Sequence, residues 1–136
     1  MAGNNYKVKI LTPRGVKFDE EVRMMEVKAP EGYIALMANN APFVANVKPN
    51  VIYITHPDGE REPAILDQGT VYATRTEAKI FCLDFVYAKD VDVVATENEK
   101  RELEARLAAL QDLKEKIKVE RLLAFELLKL REGPHK

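Results

Sequence analysis

Hydrophobic and polar residues alternate with two different periods along this chain, and the change of period falls near Tyr87. Tyr6, Val8 and Ile10 alternate with Lys7 and Lys9, the two-residue period of a strand with one wet face. Thr12-Pro13-Arg14-Gly15 then supplies turn chemistry, proline fixing φ and glycine free to take positive φ. A second strand-like run covers residues 22–27 and precedes a Pro30-Glu31-Gly32 turn. Residues 33–37 and 43–47 are separated by Asn39-Asn40, and Lys48-Pro49-Asn50 ends the latter run. Val51-Ile52-Tyr53-Ile54 is β-branched and aromatic, as strands favour. His56-Pro57-Asp58-Gly59 is the clearest hairpin signal, because Asp-Gly accepts the positive φ angles of a tight turn. Residues 64–66, 71–74 and 79–83 complete the set, with Asp67-Gln68-Gly69 and Arg75-Thr76-Glu77 as turns. Many short strands without a helical period between them indicate a sandwich or barrel, and residues 1–87 are read as an antiparallel β-sandwich domain.

After Tyr87 the period becomes helical. Residues 88–96 read as a linker, and Thr96-Glu97-Asn98-Glu99 has the spacing of a capping box. Leu103, Leu107 and Leu110 follow at helical spacing. Asp112-Leu113-Lys114-Glu115 repeats the acceptor-x-x-Glu pattern, which starts a second helix, and Gly133-Pro134 stops it. Residues 97–136 are therefore predicted as a two-helix hairpin. No glycine or proline lies between the two start signals, so one extended helix fits the same residues.

The second helix is denser in apolar residues than a single stripe requires. Leu122, Leu123, Leu127 and Leu130 cover one broad side, whereas Phe125 and Leu128 point well round the other way. A helix of this kind expects contact on several sides, either within the fold or inside a partner. Lys114, Lys116, Lys118, Arg121, Lys129 and Arg131 are interspersed with Glu115, Glu120, Glu126 and Glu132, a solvated face that would also suit an acidic partner segment.

Composition narrows the chemistry. A formal net charge of −1 over 136 residues gives no drive toward a phosphate backbone or an anionic membrane. The aromatics Tyr6, Tyr33, Phe43, Tyr53 and Tyr72 are dispersed without clustered Lys or Arg, which argues against a nucleic-acid-binding barrel and reads as packing. The chain has no serine, so the commonest hydroxyl nucleophile is missing. His56 beside the hairpin turn and His135 at the end of the chain read as plain surface residues. Cys82, the single cysteine, alternates with Phe81 and Leu83 and reads as a small buried hydrophobe. One cysteine and two histidines do not make a zinc cluster, and no glycine-rich phosphate loop occurs. No grouping of side chains marks out a catalytic or metal site, so the chain is expected to act through its surfaces and not as an enzyme. An N-terminus of Met1-Ala2-Gly3-Asn4-Asn5 lacks the plan of a signal peptide, and no apolar run approaches the ~20 residues needed to span a bilayer.

Pro30-Glu31-Gly32-Tyr33-Ile34-Ala35-Leu36-Met37-Ala38-Asn39-Asn40-Ala41-Pro42, followed by Val47-Lys48-Pro49-Asn50, resembles the epsilon subunit of F-type ATP synthases. The resemblance covers almost the whole chain, including the strand into Thr12-Pro13-Arg14-Gly15, the Phe18-Asp19-Glu20-Glu21-Val22 segment, the strand pair at Gly69 and the helical end. Ala35, Ala38 and Asn40 stand where that family usually has Gly, Pro and His, and Asn50 stands for the common Gly. Asn40 keeps hydrogen-bonding capacity but does not titrate. The resemblance implies a central-stalk subunit that couples proton or sodium flow to ATP synthesis, its sandwich holding the gamma subunit and resting on the c ring. It implies that Glu31, Gly32, Tyr33, Asn39, Asn40, Ala41 and Pro42 face those two partners. It further implies a brake on ATP hydrolysis, in which the second helix meets the beta and alpha subunits through Lys114, Lys118, Arg121, Phe125, Leu128, Lys129 and Arg131. Some relatives bind ATP through an Ile/Leu-Asp-x-x-Arg-Ala stretch; here Asp92 survives but Ala95 replaces the arginine, so weak or no ATP binding is expected, and no cofactor is called for. The implied location is peripheral, on the cytoplasmic face of a bacterial inner membrane, with a plastid thylakoid as the alternative. Without the resemblance, the same pattern describes a free-standing adaptor of sandwich plus helices.

Overall fold

Alternation in the first half builds ten strands among the residues described, 5–134 of the computed structural model. The strands are β1 Tyr6–Thr12, β2 Gly15–Val22, β3 Met24–Ala29, β4 Gly32–Leu36, β5 Phe43–Val47, β6 Asn50–Thr55, β7 Arg61–Leu66, β8 Gly69–Ala73, β9 Glu77–Cys82 and β10 Phe85–Tyr87. They form two five-stranded sheets, ordered β2-β1-β9-β8-β5 and β10-β7-β6-β3-β4. Every pairing is antiparallel except β1 with β9, which run parallel.

Strand β1 shows why the sheets face each other. Tyr6, Val8 and Ile10 are buried while Lys7 is exposed, so one side of the strand leaves water and the other does not. The same phase in β8 and β9 sends Val71, Ala73, Ala78, Ile80 and Cys82 inward, toward Met25, Val27, Ile52, Ile54, Ala64 and Leu66 of the other sheet. Burying each larger aliphatic chain contributes about 1.5–3 kcal/mol, so this interior dominates the sandwich. The Tyr6 hydroxyl donates to the carbonyls of Thr74 and Glu77 at 2.7 Å, fastening β1 to the turn between β8 and β9. Burial is the main cause that raises the pKa of this phenol.

Several expectations are corrected. The run 22–27 is not one strand: β2 ends at Val22 in the first sheet, and β3 starts at Met24 in the second. Arg23 makes the crossing, its amide donating to Thr55 O at 2.8 Å. β2 and β10 are additional strands; β2 is an edge strand with only Phe18 and Val22 buried, so its alternation is weak. In the hairpin after β6, only Gly59 has positive φ (94°), while the Asp58 carboxylate accepts from the Glu60 amide at 2.8 Å. His56 is not a plain surface residue, because its Nε2 lies 2.8 Å from Glu62 Oε1 and both side chains are mostly buried. His135 lies outside the described residues.

A second compact unit begins at Ala88. A 3-10 turn, Ala88–Asp90, leads into α1 (Val93–Ala109), and α2 spans Leu113–Glu132. The capping box expected at Thr96 is absent: Asp92 is the N-cap, its carboxylate accepting from the Ala95 amide at 3.0 Å. Thr96 sits inside the helix and its hydroxyl donates back to Asp92 O at 2.7 Å. The α2 cap is at Asp112, whose carboxylate accepts from the Lys114 amide at 2.8 Å, and Gly133 closes that helix. The choice between one rod and two helices falls to two. A Cβ built on Gly133 would lie 3.1 Å from Val91, so the end of α2 returns beside the start of α1 as a hairpin.

Candidate partner surfaces

The 30–32 turn joins β3 to β4, the edge strand of the second sheet. Gly32 has φ of 137°, a conformation that a side chain disfavours, and Glu31 beside it is exposed. Pairing of β3 with β6 runs from Met24 opposite Thr55 to Glu26 opposite Tyr53 and stops there. The outer part of the β3–β4 hairpin therefore continues as a two-stranded ribbon. Two contacts tie it back. The Lys48 amide donates to Lys28 O at 3.0 Å, and the Tyr33 hydroxyl donates to Val51 O at 3.0 Å. A row of rings and charges reinforces them: Lys28 Nζ sits 5.0 Å from the Tyr33 ring centroid, and Tyr33 lies 6.1 Å from Tyr53. Arg61 stacks 3.9 Å over Tyr53 and pairs with Glu26 at 3.2 Å.

The 39–42 loop leaves the other end of β4 and carries the chain to β5 in the first sheet. Asn39 takes positive φ (71°), which asparagine tolerates. Its amide donates to Arg75 O at 2.9 Å, and the Arg75 guanidinium returns a bond to Asn39 O at 3.1 Å. The Asn40 side-chain amide donates to Ala35 O at 3.3 Å, so this residue is engaged by its own fold. Ala41 and Pro42 are exposed. The two expected contact segments thus bracket one edge strand, separated by the length of β4, and do not form a single continuous spot.

A third surface escaped the sequence reading. On the outer side of the first sheet, Val44 is 66% exposed, Tyr72 50% and Phe81 47%. Val44 sits opposite Tyr72 in the β5–β8 register, and the Tyr72 and Phe81 rings meet edge-to-face at 5.7 Å. Beside them an open groove of about 700 Å³ is lined by Leu11, Pro13, Asn46, Thr70, Phe81 and Leu83. The available signal was one of phase. Val71 and Ala73, like Ile80 and Cys82, fill the inward positions, so Tyr72 and Phe81 occupy slots where an outward-facing strand is normally polar.

In the helical unit the expected contact residues divide. Lys114, Lys118 and Arg131 are exposed, with Lys118 3.7 Å from Glu115, and Arg121 is half-buried. Phe125 and Leu128 are buried, and Lys129 is drawn in against them: its Nζ lies 2.9 Å from the buried Glu126 and 5.1 Å from the Phe125 ring centroid. In this hairpin the apolar residues turned to solvent include Leu113, 70% exposed, and Ile117, 57% exposed.

No group of three or more His, Cys, Asp or Glu arranged to hold a metal occurs among the described residues. Cys82 is buried in the core with its thiol directed at Asp84 O, 3.4 Å away. Burial, with the Asp84 and Asp67 carboxylates adding to it, pushes its pKa up to about 12, far from that of a nucleophilic thiolate. Asp92, the residue that lines up with a nucleotide motif, is committed to the α1 cap. Among the described residues no helix is long and apolar enough to cross a membrane.

Residues 5–88 match the family described as ATP synthase, Delta/Epsilon chain, beta-sandwich domain. The chain is 37% identical over 127 residues to the ATP synthase epsilon chain of Mycoplasmoides gallisepticum, covering 93% of this chain and 98% of that one. It is 40% identical over 121 residues to the ATP synthase epsilon chain of Mycoplasma genitalium, covering 89% and 91% respectively. Among solved structures, a chain of the Euglena gracilis mitochondrial ATP synthase (OSCP/F1/c-ring) superposes with a TM-score of 0.69 at 15% identity, over 94% of this chain and 79% of that one. A chain from the central stalk/c-ring of the Tetrahymena thermophila mitochondrial ATP synthase gives 0.57 at 13% identity, over 95% and 96%. At such identities these two likenesses concern the fold.

Proposed function

The chain belongs to the ATP synthase Delta/Epsilon chain family, and from that premise we propose that it is a non-catalytic central-stalk subunit that couples ion flow through the c ring to ATP synthesis. The observation that carries this reading is the outer face of the first sheet. Val44, Tyr72 and Phe81 form an apolar surface on a fold whose interior is already filled, and apolar patches rimmed by polar residues mark protein contacts. In this reading the sandwich holds the gamma subunit, and the 30–32 turn with the 39–42 loop meets gamma and the c ring. The subunit then sits peripherally on the cytoplasmic side of a bacterial membrane; the relatives named above are bacterial. It binds no ATP of its own, since Asp92 caps α1 and Ala95 offers no guanidinium; calorimetry with the full chain should show no micromolar affinity.

The helices act in the same reading as a brake on hydrolysis through contacts with the alpha and beta subunits. Lys114, Lys118 and Arg131 are already exposed for an acidic segment, whereas Phe125 and Leu128 are not. Using those two requires the hairpin to open, at a cost of about 1.5–3 kcal/mol for each side chain. The partner contacts must offset that cost, because a two-state brake works only through a difference in binding between the states. Truncation after residue 96 should raise ATP hydrolysis by the assembled complex; unchanged hydrolysis would remove the brake and leave the stalk role. The stalk role itself is tested by affinity capture of the full chain. Recovery of gamma and c-ring subunits is the expected result, and their absence would turn the reading toward a free-standing adaptor.

A further inference from the structure

We propose that Tyr33 is a positioning residue, holding the 30–32 turn preformed so that it meets its stalk partners without first having to be ordered; this rests on the docking role proposed above. The ladder between β3 and β6 ends at Glu26 and Tyr53, so residues 27–29 and 32–34 extend as a ribbon of two strands. The inner face of this ribbon is anchored, with Val27 and Ala29 buried and the Lys48 amide bonded to Lys28 O, whereas on its outer face the connection to β6 rests on side chains. Past the end of the ladder the Val51 carbonyl receives the Tyr33 hydroxyl at 3.0 Å, a side-chain bond that carries the cross-connection on toward the turn. The Tyr33 ring adds contact with Tyr53, itself covered by Arg61, and with Lys28 directly across the ribbon. A recognition element that is already ordered avoids the entropy loss of ordering on binding, and Glu31 and Gly32 are the residues so presented.

The test compares Tyr33→Phe, which removes only the hydroxyl, with Tyr33→Ala and with Glu31→Arg, each in the full chain added back to a rotary complex depleted of this subunit. Tyr33→Phe should speed amide exchange about fivefold within residues 28–34 and weaken binding by a similar factor, the scale of one modest hydrogen bond. The melting temperature should fall by about 4–8 °C, and Ile80→Val, a core variant of similar melting loss, should leave both the exchange of residues 28–34 and binding as they are. Tyr33→Ala should weaken binding further, by roughly tenfold or more, as the ring contacts go too. Unchanged exchange in the ribbon of Tyr33→Phe overturns the proposal. So does faster exchange with undiminished binding, and if Glu31→Arg still weakens binding, the docking role survives that result. Should neither Glu31→Arg nor Tyr33→Ala weaken binding, the docking role falls and the proposal falls with it.

Discussion

At Gly69 the backbone of β8 runs so close to β9 that a Cβ would overlap the Phe81 carbonyl oxygen and lie 2.7 Å from Cys82 Cα. Backbone, unlike a flexible side chain, cannot swing aside. Gly69→Ala should therefore destabilise the protein by about 3 kcal/mol, the upper range for overpacking, read as a lower urea midpoint with an unchanged slope. In the sequence Gly69 is visible as a turn residue after Asp67-Gln68; the closeness of β9 is a property of packing that no local pattern encodes. Its neighbour across the ladder, Cys82, gives a pH prediction. Its pKa rises from the ordinary 9.0 to about 12 in the folded chain. The fold thus favours the protonated thiol, a contribution complete below pH 9.0 and lost as pH climbs through about 12. Stability should fall over that alkaline interval, and Cys82→Ala should flatten part of the fall. Iodoacetamide at pH 8 should label the urea-unfolded chain quickly and the native chain far more slowly.

Among the elements, the helix starts separate what was legible from what was not. Asp112 was readable because the residue before the helix is itself the acceptor, although its carboxylate takes the Lys114 amide and not the Glu115 amide that a full capping box would use. Thr96-Glu97-Asn98-Glu99 carries the same signature, but Asp92, four residues earlier, had already started the helix, and Thr96 then lay one turn inside it. A capping box is a local rule, and two competing acceptors one turn apart leave it undecided. Asp92→Ala should cost about 1 kcal/mol of helix stability, seen as faster amide exchange at residues 93–96. Thr96→Val should cost less, because a hydroxyl bonded to the carbonyl four residues back adds little. Were Thr96 the true cap, the two costs would be reversed. Strand limits were lost for similar reasons: Arg23 hides a change of sheet inside one apolar run, and Pro63 hides the first half of β7.

For the whole molecule, the alternation that marked out the sandwich also concealed an apolar patch on its exterior. Once β8 and β9 are recognised as strands, each residue is assigned a side, and Tyr72 and Phe81 fall outside together with Val44. Taken among the dispersed aromatics Tyr72 reads as packing; its phase along β8 instead sets it beside Phe81 in one patch. Substitution there separates folding from assembly. Side chains about half exposed contribute little to the fold, so Phe81→Lys and Tyr72→Lys should each change stability by no more than about 0.5 kcal/mol. At a protein contact, loss of an aromatic anchor costs on the order of 2 kcal/mol, about thirtyfold in affinity. The expected result is a chain with an unaltered melting curve that no longer assembles at concentrations where the wild type does. Melting and assembly that fell together would mean that these rings support the sandwich itself. If both held, the partner would have to dock elsewhere, and the turn at Glu31 would be the next place to look.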